Sequence, residues 1–172
     1  PNLAQVKLKS RVVKLITDNN GACIGVEYET KGKGTFKAYG AVVLATGGYG
    51  SDFGKDSVLM QYRPDLANYP TTNGDHCTGD GIKLAHGIGA DLKDMEYVQV
   101  HPTGLINPKD PQARWKFLAA EALRGVGGIL LTADGDRFCN ELGRRDYVSG
   151  EMAKNKGPFR LVLNTPEAKE IE

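Results

Sequence analysis

The sequence predicts two successive fold classes in one chain, α/β over the first half and α+β over the second. Residues 6–39 form short runs rich in β-branched side chains, separated by glycine-containing turns. An unbroken apolar run follows, which is typical of a strand buried on both faces of a sheet. Helical and strand patterns alternate irregularly in the second half, where charged residues are bunched. We place the boundary near residues 95–100, which divides the chain into 1–95 and 96–172.

The first half is predicted to begin with an antiparallel β-meander. Val6–Ser10 and Arg11–Thr17 carry β-branched residues, and Cys23–Tyr28 alternates apolar and polar side chains. Asn19-Asn20-Gly21 and Lys31-Gly32-Lys33-Gly34 between these runs contain residues that accept positive φ. The turns and the alternation together indicate neighbouring strands joined by tight connections.

A buried strand is predicted at Ala41–Ala45, because this run is apolar throughout and ends in Thr46-Gly47-Gly48. Two glycines at the carboxyl end of a strand allow the backbone to approach a bound cofactor, although a flexible turn is an equal alternative. Helices are predicted near Ser57–Tyr62 and at Ile82–Ile88, the second opened by Thr78-Gly79-Asp80-Gly81. Asp80 is either a helix N-cap or a residue that binds a cofactor, for which the small residues Gly79 and Gly81 leave space.

The second half is predicted to contain short elements separated by loops. In chain order they are a strand at Ala90–Val100, a helix at Phe117–Arg124, a hairpin around Asp134-Gly135, a helix at Asp146–Lys154, a strand at Phe159–Leu163 and a helix that starts at Pro166.

Composition excludes several classes of function. A net charge of +1 provides no electrostatic case for nucleic acid or a membrane surface, and no run of about 18 apolar residues occurs. The three cysteines and three histidines are scattered, without the spacing of a disulfide framework or a metal site. We therefore expect no metal, no membrane span and no nucleic-acid partner.

Ionisable residues in the second half form the strongest candidate site. His101 opens a His-Pro-Thr-Gly sequence, Glu121 and Arg124 lie three residues apart, and Arg145 precedes an aspartate. The spacing of three predicts that Glu121 and Arg124 share one helix face. Each candidate also has an ordinary structural interpretation. Glu121 and Arg124 could form a solvated ion pair, His101 could simply end a strand, and Arg145 could be a charge at the start of a helix.

The order of these motifs is more specific than any one of them. The succession AVVLATGG, TGDG, HPTG, EALRG and NELGRRD resembles the flavoprotein of the fumarate reductase and succinate dehydrogenase family. The stretch WKFLAAEALRGVGGILL is most similar to the soluble, eukaryotic-type fumarate reductases. The resemblance covers essentially the whole chain and implies an internal fragment of an FAD-dependent enzyme that reduces fumarate to succinate.

The resemblance implies a role for each candidate in the second half. His101 corresponds to a histidine that binds a substrate carboxylate, and Arg145 to the proton donor, which also contacts substrate. Glu121 and Arg124 correspond to the residues that relay the proton, and Glu121 corresponds also to a residue that contacts substrate. Arginine is a poor acid in water, so this role requires placement against a strongly basic carbanion and rapid reprotonation by Glu121. Ala120 stands where many bacterial relatives have Thr or Ser, so the substrate hydrogen bond from that side chain is not expected here.

The resemblance also implies an FAD site in the first half. Asp80, Val12, Thr46 and Gly47 correspond to residues beside the cofactor, so 1–95 is expected to be part of a Rossmann-like FAD-binding domain. Residues 96–172 are expected to be part of the capping, or clamp, domain. The dinucleotide fingerprint GxGxxG is absent from this sequence, and it is expected upstream in the parent chain, with a further FAD segment downstream. The bare chain is therefore expected to bind FAD weakly or not at all.

Other interpretations remain open at this stage. A sibling flavoenzyme, such as a succinate dehydrogenase flavoprotein, a urocanate reductase or an L-aspartate oxidase, would use the same scaffold. A non-catalytic binding module could keep the fold and lose the relay charges. Some members of the branch draw electrons from NADH, so NADH dependence is a further possibility. The sequence is compatible with three cellular locations, namely the cytosol, the mitochondrion and a peroxisome-like organelle.

Overall fold

The computed structural model describes residues 4–169 and divides them into two compact units. The first unit comprises residues 4–64 and 75–95, and the second comprises residues 65–74 and 96–169. The second unit thus also takes a short segment from within the first half of the chain. The fold is a mixture of short helices and antiparallel sheets, as the sequence predicts.

A three-stranded antiparallel meander opens the first unit. It consists of β1 (Ser10–Thr17), β2 (Cys23–Thr30) and β3 (Gly34–Tyr39), in that spatial order. The register pairs Val12 with Tyr28 and Tyr28 with Phe36. Both predicted turns are confirmed, and the meander has the predicted topology, although its first strand begins at Ser10 rather than at Val6.

The strand predicted at Ala41–Ala45 is wrong for this structure. No regular element is present there, and the side chain of Val43 is 87% exposed and that of Leu44 48%. A strand requires a neighbour whose backbone groups complete its hydrogen bonds. Within the described residues, no strand pairs with this segment, so an apolar sequence alone does not make it extended and buried.

Two short helices follow, and a buried ion pair connects them. Helix α1 covers Val58–Tyr62 and helix α2 covers Asp80–His86. The Asp52 side chain is only 3% exposed, and its Oδ2 lies 2.8 Å from Lys83 Nζ in α2. The same oxygen accepts a hydrogen bond of 2.7 Å from the Val58 backbone N–H at the start of α1. Asp52 therefore ties the first turn of α1 to α2.

The second unit contains small elements around a core that includes Leu130 and Val148, which are 2% and 0% exposed. Its elements are β4 (Gly104–Leu105), β5 (Phe117–Leu118), α3 (Ala122–Gly125), β6 (Ile129–Leu131), α4 (Arg145–Lys154), β7 (Arg160–Val162) and α5 (Thr165–Lys169). Strand β4 pairs with β5, and β6 pairs with β7, both antiparallel. The last part of the helix predicted from Pro166 onward lies outside the described residues.

Two predicted elements of the second half are corrected. The strand expected at Ala90–Val100 is absent, because Asp94 has a φ of +59° and turns the chain there. The helix expected at Phe117–Arg124 is helical only from Ala122 onward. Its first two residues pair with β4 instead, so tertiary pairing overrides the local helical preference.

The turn at Asp134-Gly135 is confirmed, with Gly135 at a φ of +94°. In the described part of the chain, no helix combines the length and the apolar character that crossing a bilayer requires.

Candidate active site and cofactor cradle

Glu121 stands between two arginines in the second unit. Its Oε1 accepts a hydrogen bond of 3.0 Å from Arg124 Nη2, and its Oε2 accepts one of 3.1 Å from Arg145 Nε. Arg145 Nη2 also donates to Oε2. The structure therefore brings together the three residues for which the resemblance implies proton transfer, as one continuous series of hydrogen bonds.

The two arginines have different surroundings. The Arg145 side chain is 37% exposed, whereas that of Arg124 is 3% exposed. Arg124 Nη1 donates to the backbone carbonyl oxygens of Glu141, at 2.5 Å, and of Gly143, at 3.4 Å. A buried guanidinium is costly unless its charge and donors are satisfied. The burial of Arg124 excludes the alternative of an ordinary solvated pair with Glu121.

Two residues that the motifs did not single out support this cluster. Gln99 Oε1 accepts a hydrogen bond of 2.7 Å from Arg145 Nη1. Ser149, one turn after Arg145 in α4, donates through Oγ to the Val100 carbonyl at 2.7 Å. Together they join α4 to the segment that leads into His101. The spacing of two residues between Gln99 and His101 is a signal that could have identified Gln99, because alternate residues of an extended segment project to the same side.

His101 is oriented by the residues that follow it. The Thr103 backbone N–H donates to His101 Nδ1 at 3.2 Å, while Thr103 Oγ1 donates to the Ala119 carbonyl at 3.0 Å. Because Nδ1 accepts a hydrogen bond, the proton of the neutral ring lies on Nε2. Burial lowers the pKa of His101 below its ordinary 6.5, and the positive charges of Arg145 and Arg124 lower it further. The ring is therefore a neutral donor through Nε2.

Glu121 and Arg145 stabilise each other in their ionised forms. The hydrogen bond from Arg145 lowers the pKa of Glu121, and the same bond raises the pKa of Arg145. With Glu121 ionised, His101 neutral and two arginines cationic, the four side chains carry one net positive charge. Such a cluster suits an anionic ligand.

The cofactor candidates of the first unit come together where two glycine turns meet. The Gly79 backbone N–H donates to the Gly48 carbonyl at 3.1 Å. A Cβ at position 81 would lie 2.1 Å from Thr46 Oγ1, so Gly81 allows the segment containing Thr46 and Gly47 to pack against α2. Gly47 and Gly79 have φ values of +75° and +69°, which glycine adopts without strain.

Asp80 lies at the start of α2, directly after Gly79, and Val12 lies in β1, next to a residue that contacts Asp80. Arg11 Nη2 lies 2.9 Å from Asp80 Oδ2, which brings β1 next to the start of α2. Val12, the next residue of β1, is 36% exposed. The hydrogen bond from Thr78 lowers the pKa of Asp80, and Arg11 lowers it further, so the carboxylate is ionised. Asp80 is the first residue of α2, and its N-cap is Gly79, which corrects the alternative of Asp80 as N-cap.

Known proteins are similar to this chain in sequence and fold. Residues 3–161 match the FAD binding domain family. The chain is 52% identical over 173 residues to fumarate reductase of Schizosaccharomyces pombe, covering 99% of this chain and 34% of that protein. It is 48% identical over 156 residues to fumarate reductase 1 of Saccharomyces cerevisiae, covering 90% of this chain and 32% of that protein.

A solved structure is similar as well, that of the open conformation of a flavocytochrome c3 fumarate reductase. It aligns with a TM-score of 0.66 at 32% identity, over 94% of this chain and 27% of that one. The chain thus spans about a third of the length of the relatives it matches. The family implies FAD as cofactor, and the glycine-lined turns around Thr46, Gly47 and Asp80 fit close approach by such a group. The chain therefore belongs to the FAD binding domain family, and it is similar in sequence and fold to part of several fumarate reductases.

Proposed function

We propose that this chain is part of an FAD-dependent fumarate reductase and that its second unit binds the dicarboxylate and delivers the proton. The observation that supports this most directly is the position of Glu121, hydrogen-bonded to the buried Arg124 on one side and to the half-exposed Arg145 on the other. In this proposal, residues 1–95 are part of an FAD-binding domain and residues 96–172 are part of a capping domain.

The charges suit a dicarboxylate. Fumarate carries two carboxylates, and the reacting carbon becomes more negative as a hydride arrives. Arg145 supplies a permanent positive charge and a planar set of donors that matches a carboxylate. His101 supplies one further donor at Nε2 without adding charge. These donors stabilise charge that develops during the reaction, which accelerates it more than uniform binding of the substrate does.

The proton route uses residues of this chain alone. Arg145 donates its proton to the carbon, the Glu121 carboxylate accepts a proton from Arg124, and Glu121 passes that proton on to the neutral Arg145. Arg124 contacts the other oxygen of Glu121 and continues the series. Arginine deprotonates only transiently because its pKa is above about 12, so immediate contact with Glu121 is a requirement of the proposal.

FAD, when bound, supplies the hydride-transfer chemistry. Thr46, Gly47 and the Asp80 carboxylate would line its site, with the backbone of Val12 beside them. NADH as the source of electrons for the complete enzyme is part of the proposal, and fumarate, succinate and the remainder of the parent chain are its proposed partners.

A pair of neighbouring arginines tests the proposal in the full-length enzyme. Arg145→Ala is expected to lower kcat for fumarate reduction by about a thousandfold or more, since it removes the proton donor. FAD should stay bound. Arg144→Ala is the matched control, because Arg144 is 89% exposed and pairs only weakly with Asp146, at 3.5 Å. Retained turnover in Arg145→Ala would remove the proton-donor assignment.

The substrate is tested by assaying the same enzyme with fumarate, succinate and L-aspartate. Fumarate reduction should predominate. Oxidation of succinate or L-aspartate at a much higher rate would identify a sibling activity on the same scaffold, and no turnover with FAD bound would favour a binding module.

A further inference from the structure

A second ion pair lies beside the proposed proton route and takes no part in it. Glu141 is buried, with its side chain 4% exposed, and Arg137 lies four residues earlier in the chain with its side chain 59% exposed. Arg137 Nη2 is 2.6 Å from Glu141 Oε2, and Arg137 Nε is 3.1 Å from Oε1. Both carboxylate oxygens therefore accept hydrogen bonds from one guanidinium.

The Glu141 carboxylate is also anchored to the core. Its Oε1 accepts a hydrogen bond of 2.9 Å from the backbone N–H of Leu130, the central residue of β6. Burial raises the pKa of Glu141, but the hydrogen bonds from Arg137, from Leu130 and from its own backbone N–H outweigh burial and lower it. The carboxylate is therefore ionised. Both of its oxygens accept hydrogen bonds from Arg137, and one also accepts a hydrogen bond from the backbone of the buried residue Leu130.

Anchoring this side chain fixes the backbone that holds Arg124. The carbonyl oxygen of Glu141 accepts from Arg124 Nη1 at 2.5 Å, and that of Gly143, two residues later, accepts from the same nitrogen. Among the described residues, Arg124 Nε has no hydrogen-bond partner. The orientation of this guanidinium therefore depends on the carbonyl oxygens on one side and on Glu121 on the other.

The loop of residues 140–144, which contains Glu141 and Gly143, ends at Arg145, the second arginine of the proton route. Gly143 and Arg144 lead directly into α4, whose first residue is Arg145. One short segment thus supplies the carbonyl groups that orient Arg124 and sets the position from which Arg145 reaches Glu121. A displacement of this segment would alter both contacts of Glu121 together.

We propose that Arg137 and Glu141 are positioning residues, which hold the loop of residues 140–144 so that Arg124 and Arg145 contact opposite oxygens of Glu121. This inference rests on the proposed function, because it assigns the pair to that proton route. Neither residue touches the proposed substrate or the reacting atoms in this assignment. Their effect on turnover is exerted through the two arginines, and mainly through Arg124, whose guanidinium the loop carbonyl groups orient.

The pair is tested in the full-length holoenzyme with Glu141→Gln and Arg137→Leu. Both are expected to lower kcat for fumarate, normalised to bound FAD, by about tenfold or more, because small misplacements of catalytic groups are costly. KM should change by less than about threefold. Arg137→Lys should restore part of kcat, since it keeps a cation near Glu141. Glu151→Gln, which removes a carboxylate from the Lys154 pair on α4, is the control and should keep wild-type kcat.

Coupling to Arg124 distinguishes positioning from general destabilisation. In an Arg124→Lys background, Glu141→Gln should lower kcat by less than about twofold further, because both changes act on the same contact. A variant that only weakens the fold would lose FAD-bound enzyme but keep kcat per bound FAD. Wild-type kcat per FAD in both Glu141→Gln and Arg137→Leu, or fully additive losses with Arg124→Lys, would overturn the proposal.

Crystal structures of the wild-type and Arg137→Leu enzymes test positioning without turnover. The Arg124 guanidinium is expected to move by about 1 Å or more in the variant, a displacement large enough to impair catalysis. An unmoved guanidinium would contradict the positioning role. An inactive wild-type enzyme whose Arg124 nevertheless moves in the variant would refute the proposed function and leave the positioning role supported.

Discussion

At the scale of single residues, burial decides which ion pairs matter. Arg11 and Asp80 are both well exposed, and such surface pairs contribute little to stability, about 0–1 kcal/mol. Arg124 is almost completely buried and must be satisfied by Glu121 and by backbone carbonyl groups. Two ion pairs with nearly equal distances, 2.9 and 3.0 Å, therefore differ greatly in energetics.

His101 provides a prediction at this scale. Its pKa in the folded chain lies below the ordinary 6.5, so between these two values the unfolded chain binds more protons than the folded chain. The contribution of His101 to stability is therefore complete above pH 6.5 and is lost as the pH falls through this window. NMR titration of the 172-residue chain should show a lower midpoint for His101 in buffer than in concentrated urea.

The cause of that shift can be checked in the same experiment. Arg145→Ala should raise the His101 midpoint, because the positive charge of Arg145 lowers the pKa of His101, second only to burial. An unchanged midpoint in this variant would contradict the electrostatic contact between the two side chains.

At the scale of elements, glycines set how closely the segments of the cofactor cradle approach. Gly81 faces Thr46 directly, whereas a Cβ at Gly150, within α4, would meet no atom within 4 Å. Both glycines lie in helices, Gly81 in the first turn of α2 and Gly150 in the interior of α4, and alanine is an acceptable helix residue at both. The packing around the two positions differs.

Alanine at these two positions should therefore have opposite effects on the free energy of unfolding. Gly81→Ala is expected to lower it by about 1–3 kcal/mol through overpacking against Thr46. Gly150→Ala should raise it by up to about 1 kcal/mol, because alanine is the better helix former. Urea unfolding of both variants measures this, and equal effects would show that Thr46 does not pack against α2.

At the scale of the whole molecule, the chain covers about a third of its relatives and leaves apolar side chains exposed. Val43 is the most exposed of these, at 87%. In a strand buried on both faces, Val43→Ser would cost about 2 kcal/mol or more. In this structure it should change the free energy of unfolding of the 172-residue chain by less than about 0.5 kcal/mol. A large loss would favour the buried strand that the sequence predicts.

Cofactor retention is also a property of the whole molecule. The chain contains no GxGxxG fingerprint, the element that binds the pyrophosphate in dinucleotide sites. We expect the purified 172-residue chain to carry no flavin, as judged by visible absorbance, even though Thr46, Gly47 and Asp80 are in place. Stoichiometric FAD in that preparation would show that these residues suffice.

The meander, both turns, α1, α2 and α4 could be predicted from the sequence, because each depends on side-chain periodicity and turn residues within a few positions. The candidates Glu121, Arg124 and Arg145 were identified from the order of motifs, and the structure brings them into contact. The strand predicted at Ala90–Val100 is wrong because one residue, Asp94, takes a left-handed conformation there. Gln99 and Glu141 were missed as supporting residues because each contacts an arginine that is distant in the sequence. Gln99 lies 46 residues from Arg145, and Glu141 lies 17 residues from Arg124.

The sequence by itself determined the family, the FAD cofactor that the family implies, and the candidate ionisable residues of the second unit. Only the tertiary structure decided that Arg124 is buried, that Glu141 is ionised within the core and that Ala41–Ala45 has no strand beside it. The physical reason is that local patterns specify backbone preference and polarity. Burial and partnership depend on groups that approach from distant parts of the chain, and these set the free energy of each charge.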